Sequence, residues 1–192
     1  KLSDKPKFGL GLKELWEIDE KNHVLGKVDH FVGWPLDNKT GGGGFMYHLE
    51  ENQISIGFVV HLNYQNPYIS PFDEFQRFKT HPKISALLKG GKRISYGARV
   101  ITEGGLQSIP KMIFPGGIIV GCSAGQVNVP RIKGTHNAMK SGMLAAETIF
   151  NSFYDKNQKI DQFEEKWRAS WIYKDLFLVR NAKPLLAKFG TL

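Results

Sequence analysis

Residues 113–150 read IFPGGIIVGCSAGQVNVPRIKGTHNAMKSGMLAAETIF, and the succession of short apolar run, polar loop and helix within them decides the fold. Gly116 to Gly121 (GGIIVG) is β-branched, uncharged and bounded by glycines, which predicts a buried strand. The loop Cys122–Lys133 is polar and contains both Gly and Pro. Gly134, Thr135 and His136 then open a helix whose apolar positions Ala138, Met139, Gly142, Ala145, Ala146, Ile149 and Phe150 recur with a helical period. Small residues on that stripe let the helix lie close to a sheet. The unpaired N–H groups and partial positive charge of a helix start suit an anionic or electron-rich ligand.

That order is the one expected of the closing segment of a dinucleotide-cofactor domain. The remainder of the composition bounds what such a domain can do. With 192 residues, 41% of them hydrophobic and 23% charged, the chain can bury a core. Its net charge of +8 suits an acidic protein partner or an anionic membrane surface. The lysines are spread out, without a basic cluster interleaved with aromatics, so nucleic acid ranks last. The single cysteine, Cys122, excludes an internal disulfide and cannot supply the four thiolates of a cubane iron–sulfur cluster, so no metal site is expected. No run reaches the length of a membrane-spanning helix. The first residue is Lys1 rather than methionine, which suggests a fragment or a processed product.

Ahead of the deciding segment, Gly9-Leu10-Gly11 has neither a preceding strand nor a complete GxGxxG and reads as a lead into a strand. Leu12–Ile18 fits a strand or short helix, residues 19–22 a turn, and Val28–Pro35 a strand stopped by Trp34-Pro35. Gly41–Gly44 is open to two readings: a mobile hairpin turn, or exposed backbone for a flat ligand with Phe45, Met46 and Tyr47 alongside. Gln53–Leu62 has the near-continuous apolar character of a central strand. Pro71 opens a helix whose Phe72, Phe75 and Phe78 form a core stripe, followed by a short helix at 84–88 and a strand at 95–101. Glu103–Ser108 is a second glycine turn, and 111–114 a hairpin leg between Pro110 and Pro115. A polar linker at 151–159 precedes an amphipathic helix at 160–179 with Phe163, Trp167, Trp171 and Leu178 on one stripe; it packs on the body of the protein or, alternatively, touches a membrane interface. The tail 180–192 has no strong period. Cys122 reads as a small hydrophobe, and His136 either as a proton carrier or as a satisfied polar residue at a helix end.

VDHFVGWPLD (28–37), LNYQNPYISPFDEFQRFKTHP (62–82), GGKRISYGAR (90–99), EGGLQSIPK (103–111) and GCSAGQVNVPRIKGTHNAMKSGMLAAE (121–147) resemble, in that order, the electron transfer flavoprotein–ubiquinone oxidoreductase family. The resemblance implies an α+β fold: a quinone-binding domain with a mixed or antiparallel sheet over residues 1–100, the second half of a glutathione-reductase-type FAD domain over 101–150, and a C-terminal helix and tail over 151–192. Neither the first FAD motif nor an iron–sulfur domain is present. It implies an FAD-dependent enzyme that takes electrons from reduced electron transfer flavoprotein and passes them to ubiquinone. A 4Fe-4S cluster would be held outside this chain. The implied FAD contacts are Gly121, Cys122, Gly134, Thr135 and His136; the implied quinone contacts are Gly42, Gly43, Gly104 and Gly105. No catalytic side chain is assigned. The implied location is the membrane surface as a monotopic protein, on the matrix face of the mitochondrial inner membrane or the cytoplasmic face of a bacterial inner membrane. Two other readings share the residues: a cluster-free FAD-dependent reductase or hydroxylase of a lipid-like substrate, and a non-catalytic piece held in a larger assembly.

Overall fold

A computed structural model describes residues 3–155 and 159–190. It divides into two compact units, one built on Gly9–Val100 and the other on Ile101–Lys188; Phe8 and the residues before it belong to the second, Phe189 and Gly190 to the first.

The first unit is a five-stranded sheet covered on one face by two helices. Its strands are β1 (Phe8–Glu17), β2 (Val28–Phe31), β3 (Gly42–His48), β4 (Gln53–His61) and β5 (Lys92–Thr102), in the order β2-β3-β4-β1-β5. β4 is antiparallel to both β3 and β1. Side chains alternate across a strand, so Ile54, Ile56, Phe58 and Val60 all project to one face, where each is fully buried. That face is covered by α1 (Pro71–Lys79) and α2 (Pro82–Leu88). Ser70 caps α1, its Oγ accepting the Asp73 N–H at 3.3 Å, and Pro71 follows where the missing N–H costs nothing. Phe75 and Phe78 of the expected stripe are buried, with the Phe78 ring 5.0 Å from Phe58, whereas Phe72 is exposed.

Local differences from the sequence expectations have simple causes. β1 already contains Gly9 and Gly11, because antiparallel pairing to His61 and Val59 begins there. β2 stops at Phe31 rather than Pro35, ahead of the turn in which Leu36 donates its N–H to the Gly33 carbonyl. The glycine run is not a hairpin turn. It enters the interior strand β3, and each glycine is packed too closely for a side chain. A Cβ on Gly44 would lie 2.4 Å from the Phe78 ring, and one on Gly41 would meet the His61 imidazole.

Two polar features lie within this unit. Glu14, on the core face of β1, is almost wholly buried and accepts from Lys79 Nζ at 2.8 Å, Trp16 Nε1 at 2.7 Å and Arg93 at 3.2 Å. Burial alone would raise its pKa; these donors together outweigh burial and hold the carboxyl below its ordinary value. His48, also buried, accepts the Val24 N–H at Nδ1 (3.1 Å), and its ring lies 5.2 Å from that of His23. Burial, with the positive charge of neighbouring groups, depresses its pKa. A depressed imidazole binds protons more readily when unfolded, so stability is full above the ordinary value of 6.5 and declines as pH falls below it. We expect denaturant midpoints to fall from pH 7 to pH 5, and His48→Gln to flatten that fall.

The second unit is mainly helical. A two-stranded hairpin, β6 (Ile113–Phe114) with β7 (Gly117–Ile118), precedes a short 3-10 turn at Gly121–Ala124, then α3 (Thr135–Tyr154), α4 (Phe163–Ala169), α5 (Trp171–Leu178) and α6 (Ala182–Phe189). The buried strand expected over Gly116–Gly121 is therefore reduced to a hairpin leg. Gly116, at φ 85°, completes a tight turn after Pro115, and the Gly121 N–H donates to Ser141 Oγ at 3.0 Å instead of to a strand neighbour. The hairpin leg expected at 111–114 is β6.

α3 begins where expected but buries a different stripe: Asn137, Ser141, Leu144, Ala145 and Thr148 face inward, while Met139, Met143 and Phe150 are exposed. Apolar periodicity failed here because the buried positions are small and polar, each hydroxyl satisfied locally; Thr148 Oγ1 donates to the Leu144 carbonyl at 2.7 Å. Part of the expected linker, residues 156–158, lies outside the described residues. The single helix expected at 160–179 is two helices broken at Ser170, whose Oγ accepts the Ile172 N–H and caps α5. The break rotates the stripe, so Phe163, Trp167, Ile172 and Leu176 form the core with Met112, Ala124, Leu144 and Ala145, and Trp171 and Leu178 are left outside. The tail expected without a period is helical as α6. Within this unit Lys183 and Glu103 form a buried pair at 3.8 Å.

Candidate functional site

Two sets of sequence-derived candidates fall in different units. In the sheet unit, the face of the sheet away from α1 and α2 carries residues of the other alternation: Gly9 and Gly11 on β1, Gly57, Val59 and His61 on β4, and Gly43, Phe45 and Tyr47 on β3. Glycines pair with larger residues across this face: Gly9 with His61, Gly11 and Gly43 with Val59, and Gly57 with Phe45. Phe45 and Tyr47 pack with centroids 4.9 Å apart, and the Tyr47 hydroxyl lies 3.2 Å from His30 Nε2.

The pairing pattern singles out Gly42. His61 donates its N–H to the Gly41 carbonyl at 2.9 Å, which sets the odd-numbered residues of β3 as the ones hydrogen-bonded to β4. His48 donates to the Lys27 carbonyl at 2.9 Å, which sets the even-numbered residues as those facing β2. The β2 ladder ends at the Phe31–Gly44 pair. The N–H and C=O of Gly42 thus point past the end of β2, toward the turn that contains Leu36. A Cβ at Gly42 would lie 2.3 Å from the Val59 carbonyl oxygen and 2.5 Å from Leu36 Cδ1, and one at Gly43 would lie 2.5 Å from the Phe31 carbonyl oxygen. Both glycines are required by close backbone approach; only Gly42 also lies beyond the last β2–β3 pair with its amide edge turned away from β4.

Gly104 and Gly105 lie in the helical unit and wrap around a serine. A Cβ on Gly104 would collide with Ser108 Oγ, which donates to the Gly105 carbonyl at 2.9 Å. Gly105 takes φ 79°, a conformation that favours glycine. Intramolecular contacts account for both residues.

In the same unit Gly121 and the start of α3 are brought together. Gly121 adopts φ 62°, and a Cβ there would be 3.0 Å from that of Ala138, so the 3-10 turn rests directly on the first turn of α3. Gly134 occupies the cap position without a side-chain cap, leaving the Thr135 and His136 amides of the first turn without one. Gln126 Oε1 and Asn137 Oδ1 are buried acceptors with no partner, although Asn137 Nδ2 donates to the Gln126 carbonyl at 2.9 Å. The uncapped donors of the helix start fit a ligand that bears anionic oxygens, as FAD does, whereas the two acceptors are enclosed by the protein itself. Cys122 sits within the 3-10 turn, partly buried, and its carbonyl accepts the Gly125 N–H at 2.9 Å.

Residues missed by the sequence reading surround His136. Its ring stacks on Trp171 with centroids 5.6 Å apart and planes 4° from parallel, and its Nε2 lies 3.6 Å from Asp175 Oδ2. The Asp175 carboxylate also accepts from Asn128 Nδ2 at 2.8 Å and pairs with Arg131 at 2.9 Å. Asp175 is some forty positions along the chain from the loop it holds, so no motif spacing could reveal it. Ser141, which ties down Gly121, was equally silent. Among the described residues no group of His, Cys, Asp and Glu could hold a metal ion, and the one cysteine does not fit a 4Fe-4S cluster. Two shallow, open depressions, of about 580 and 570 Å³, are lined by residues around His48 and around Lys79 and Leu88, away from both candidate sets.

The fold is shared with solved structures of low sequence identity. It is similar to a geranylgeranyl bacteriochlorophyll reductase-like protein from Thermoplasma acidophilum (TM-score 0.66, 18% identity, covering 85% of this chain and 39% of that one). It also resembles a flavoprotein/dehydrogenase from Cytophaga hutchinsonii (TM-score 0.58, 18% identity, 86% and 41%). Sequence is more specific. Residues 8–101 match the family model described as ETF-QO, ubiquinone-binding. The bovine and human mitochondrial electron transfer flavoprotein–ubiquinone oxidoreductases are each 57% identical over 186 residues, covering 92% of this chain and 30% of theirs. The rice relative of the same name is 56% identical over 177 residues, covering 92% and 31%. The chain belongs to the electron transfer flavoprotein–ubiquinone oxidoreductase family. It spans about 30% of the length of those relatives.

Proposed function

We propose that this chain serves an FAD-dependent oxidoreductase that passes electrons from reduced electron transfer flavoprotein to ubiquinone at a membrane surface, in mitochondria as the names of its relatives suggest. The observation that carries the reading is the match of residues 8–101 to a ubiquinone-binding family, on a sheet whose Gly42 lies beyond the last β2–β3 pair. In this reading the Gly42 N–H donates to a quinone carbonyl oxygen, and Gly43 keeps the backbone low enough for the ring to approach. Gly104 and Gly105 border the quinone and flavin region by fixing the loop that leads to the cofactor segment.

The helical unit corresponds in this reading to the second half of a glutathione-reductase-type FAD domain. FAD, when bound, supplies the exchange of electrons between a two-electron donor or acceptor and single-electron carriers. The chain's own part is binding and electrostatics: Gly121 and Cys122 form the turn beside the ligand, and Gly134, Thr135 and His136 present the helix start to its negative charge. The ligands of an iron–sulfur cluster are not among these residues. No described helix is long and apolar enough to cross a membrane. Exposed Leu178, Leu185 and Leu186, with Arg180 and Lys188 nearby in sequence, suit interfacial contact instead.

Gly42→Ala tests the quinone assignment. The new Cβ displaces the β3 edge from Val59 and Leu36, so KM for a short-chain ubiquinone analogue should rise by about tenfold, the equivalent of one lost hydrogen bond. Flavin content should not change, and the far-ultraviolet circular dichroism should remain that of a folded protein with a lowered denaturant midpoint. Gly97→Ala, which meets nothing within 4 Å, is the control and should match the parent. An unchanged KM in properly folded Gly42→Ala protein would remove Gly42 from the quinone site.

A further inference from the structure

We propose that Asp175 is a positioning residue for the flavin-contacting segment: its carboxylate fixes the 128–136 loop and helix start on α5 and balances the positive charge that they carry. This rests on the reading of residues 121–136 as part of an FAD site. Three separate parts of the segment converge on this one side chain, which is itself largely shielded from solvent. Asn128, fully buried, donates to it at 2.8 Å; Arg131 pairs with it at 2.9 Å; and His136 Nε2 approaches to 3.6 Å.

The cluster is more than a surface ion pair. Asn128 Oδ1 accepts the Arg131 N–H at 3.3 Å, and the Asn128 N–H donates to the Lys133 carbonyl at 2.9 Å, so the loop closes on the residue that Asp175 holds. Trp171, one helical turn before Asp175, stacks flat on His136 and fixes the ring plane. α5 thus contributes two contacts four residues apart, one apolar and one charged, and both engage the loop and helix start.

The electrostatic consequence has a definite sign. With Asp175 neutralised, the charge of Arg131 is uncompensated at the helix start. Its field then adds to that of the uncapped amides and favours the reduced, more negative flavin. Removing Arg131 while keeping Asp175 leaves the opposite imbalance. A residue that only supported the fold would give no such reversal.

The test is the flavin midpoint potential of the flavin-loaded protein, measured by spectroelectrochemical titration for the parent, Asp175→Asn, Asp175→Glu and Arg131→Gln. Asp175→Asn should raise the potential by about 30 mV, the two-electron equivalent of a tenfold shift toward the reduced form. Arg131→Gln should lower it, and Asp175→Glu, which restores the carboxylate, should return it close to the parent. Equal potentials in Asp175→Asn and Arg131→Gln, with flavin bound in both, would overturn the positioning role and leave the FAD reading intact. If Asp175→Asn fails to fold, the exposed Arg131 still decides the sign. Parent protein purified without flavin, and unable to take it up, would overturn the FAD reading itself and the role of Asp175 with it.

Discussion

Glu14→Ala is expected to destabilise the sheet unit by about 3–5 kcal/mol, because it leaves a buried lysine without its counter-charge. Lys79 Nζ makes two short bonds to the Glu14 carboxylate, 2.9 and 2.8 Å, and its side chain is only 12% exposed. Contacts of Nζ with the rings of Phe75 (4.8 Å) and Trp16 (5.6 Å) recover a part of the lost attraction. The variant also strands the Trp16 indole N–H. Replacing both partners, as in Glu14→Leu with Lys79→Met, should cost less than Glu14→Ala alone, since no charge then remains buried. The carboxylate's depressed pKa adds a pH signature. Its contribution is complete above the ordinary value of 4.5 and is lost as pH falls through the lower folded value, so acid destabilisation should be shallower in the double variant. Urea unfolding at pH 7 and pH 4, followed by circular dichroism, measures both effects.

Trp167→Ala should cost a similar amount, about 3–5 kcal/mol, in the helical unit. The indole is 2% exposed and belongs to the cluster formed by Phe163, Ile172 and Leu176 with Leu144 of α3. The Tyr173 ring meets it edge-on at 5.7 Å. Removing it opens a cavity where α3, α4 and α5 come together, and those helices hold the loop that Asp175 engages. The Trp167 Nε1–H has no partner, so Trp167→Phe discards no hydrogen bond and should retain most of the stability. Denaturant midpoints by circular dichroism, rather than by tryptophan emission, keep the reporter independent of the mutated residue.

Much of the sheet unit was legible because its signals are local. Ile54, Ile56, Phe58 and Val60 alternate as a half-buried strand must, and Ser70-Pro71 marks a helix start by capping chemistry. The helical unit was less so. GGIIVG has the composition of a buried strand, but it needs neighbouring strands to pair with, and among the described residues the run pairs only with Ile113–Phe114. On α3 the buried stripe runs through Asn137, Ser141 and Thr148, where hydrogen bonding replaces hydrophobicity and an apolar count points to the wrong side. At 160–179 one serine resets the helical phase, which periodicity over the whole segment cannot register.

The candidate sites divide in the same way. Gly42 and Gly121 are visible as glycines, but the reason for each is long-range: the Val59 carbonyl and Leu36 for one, Ala138 across a turn for the other. Which of two adjacent glycines turns its amide edge outward depends on strand register, and that is fixed by His61 and Lys27 rather than by the run itself. The second cluster was invisible, because Asp175 is an isolated acid within the apolar sequence WIYKDLFL.

The electron-transfer reading is tested most directly by the absorbance of the flavin-loaded protein under anaerobic conditions, with reduced electron transfer flavoprotein as donor and a short-chain ubiquinone analogue as acceptor. The donor is expected to bleach the flavin band and the quinone to restore it, with quinol formed in proportion to the electrons supplied. A flavin band that the donor bleaches but the quinone leaves bleached would contradict the assignment of residues 8–101 to quinone binding.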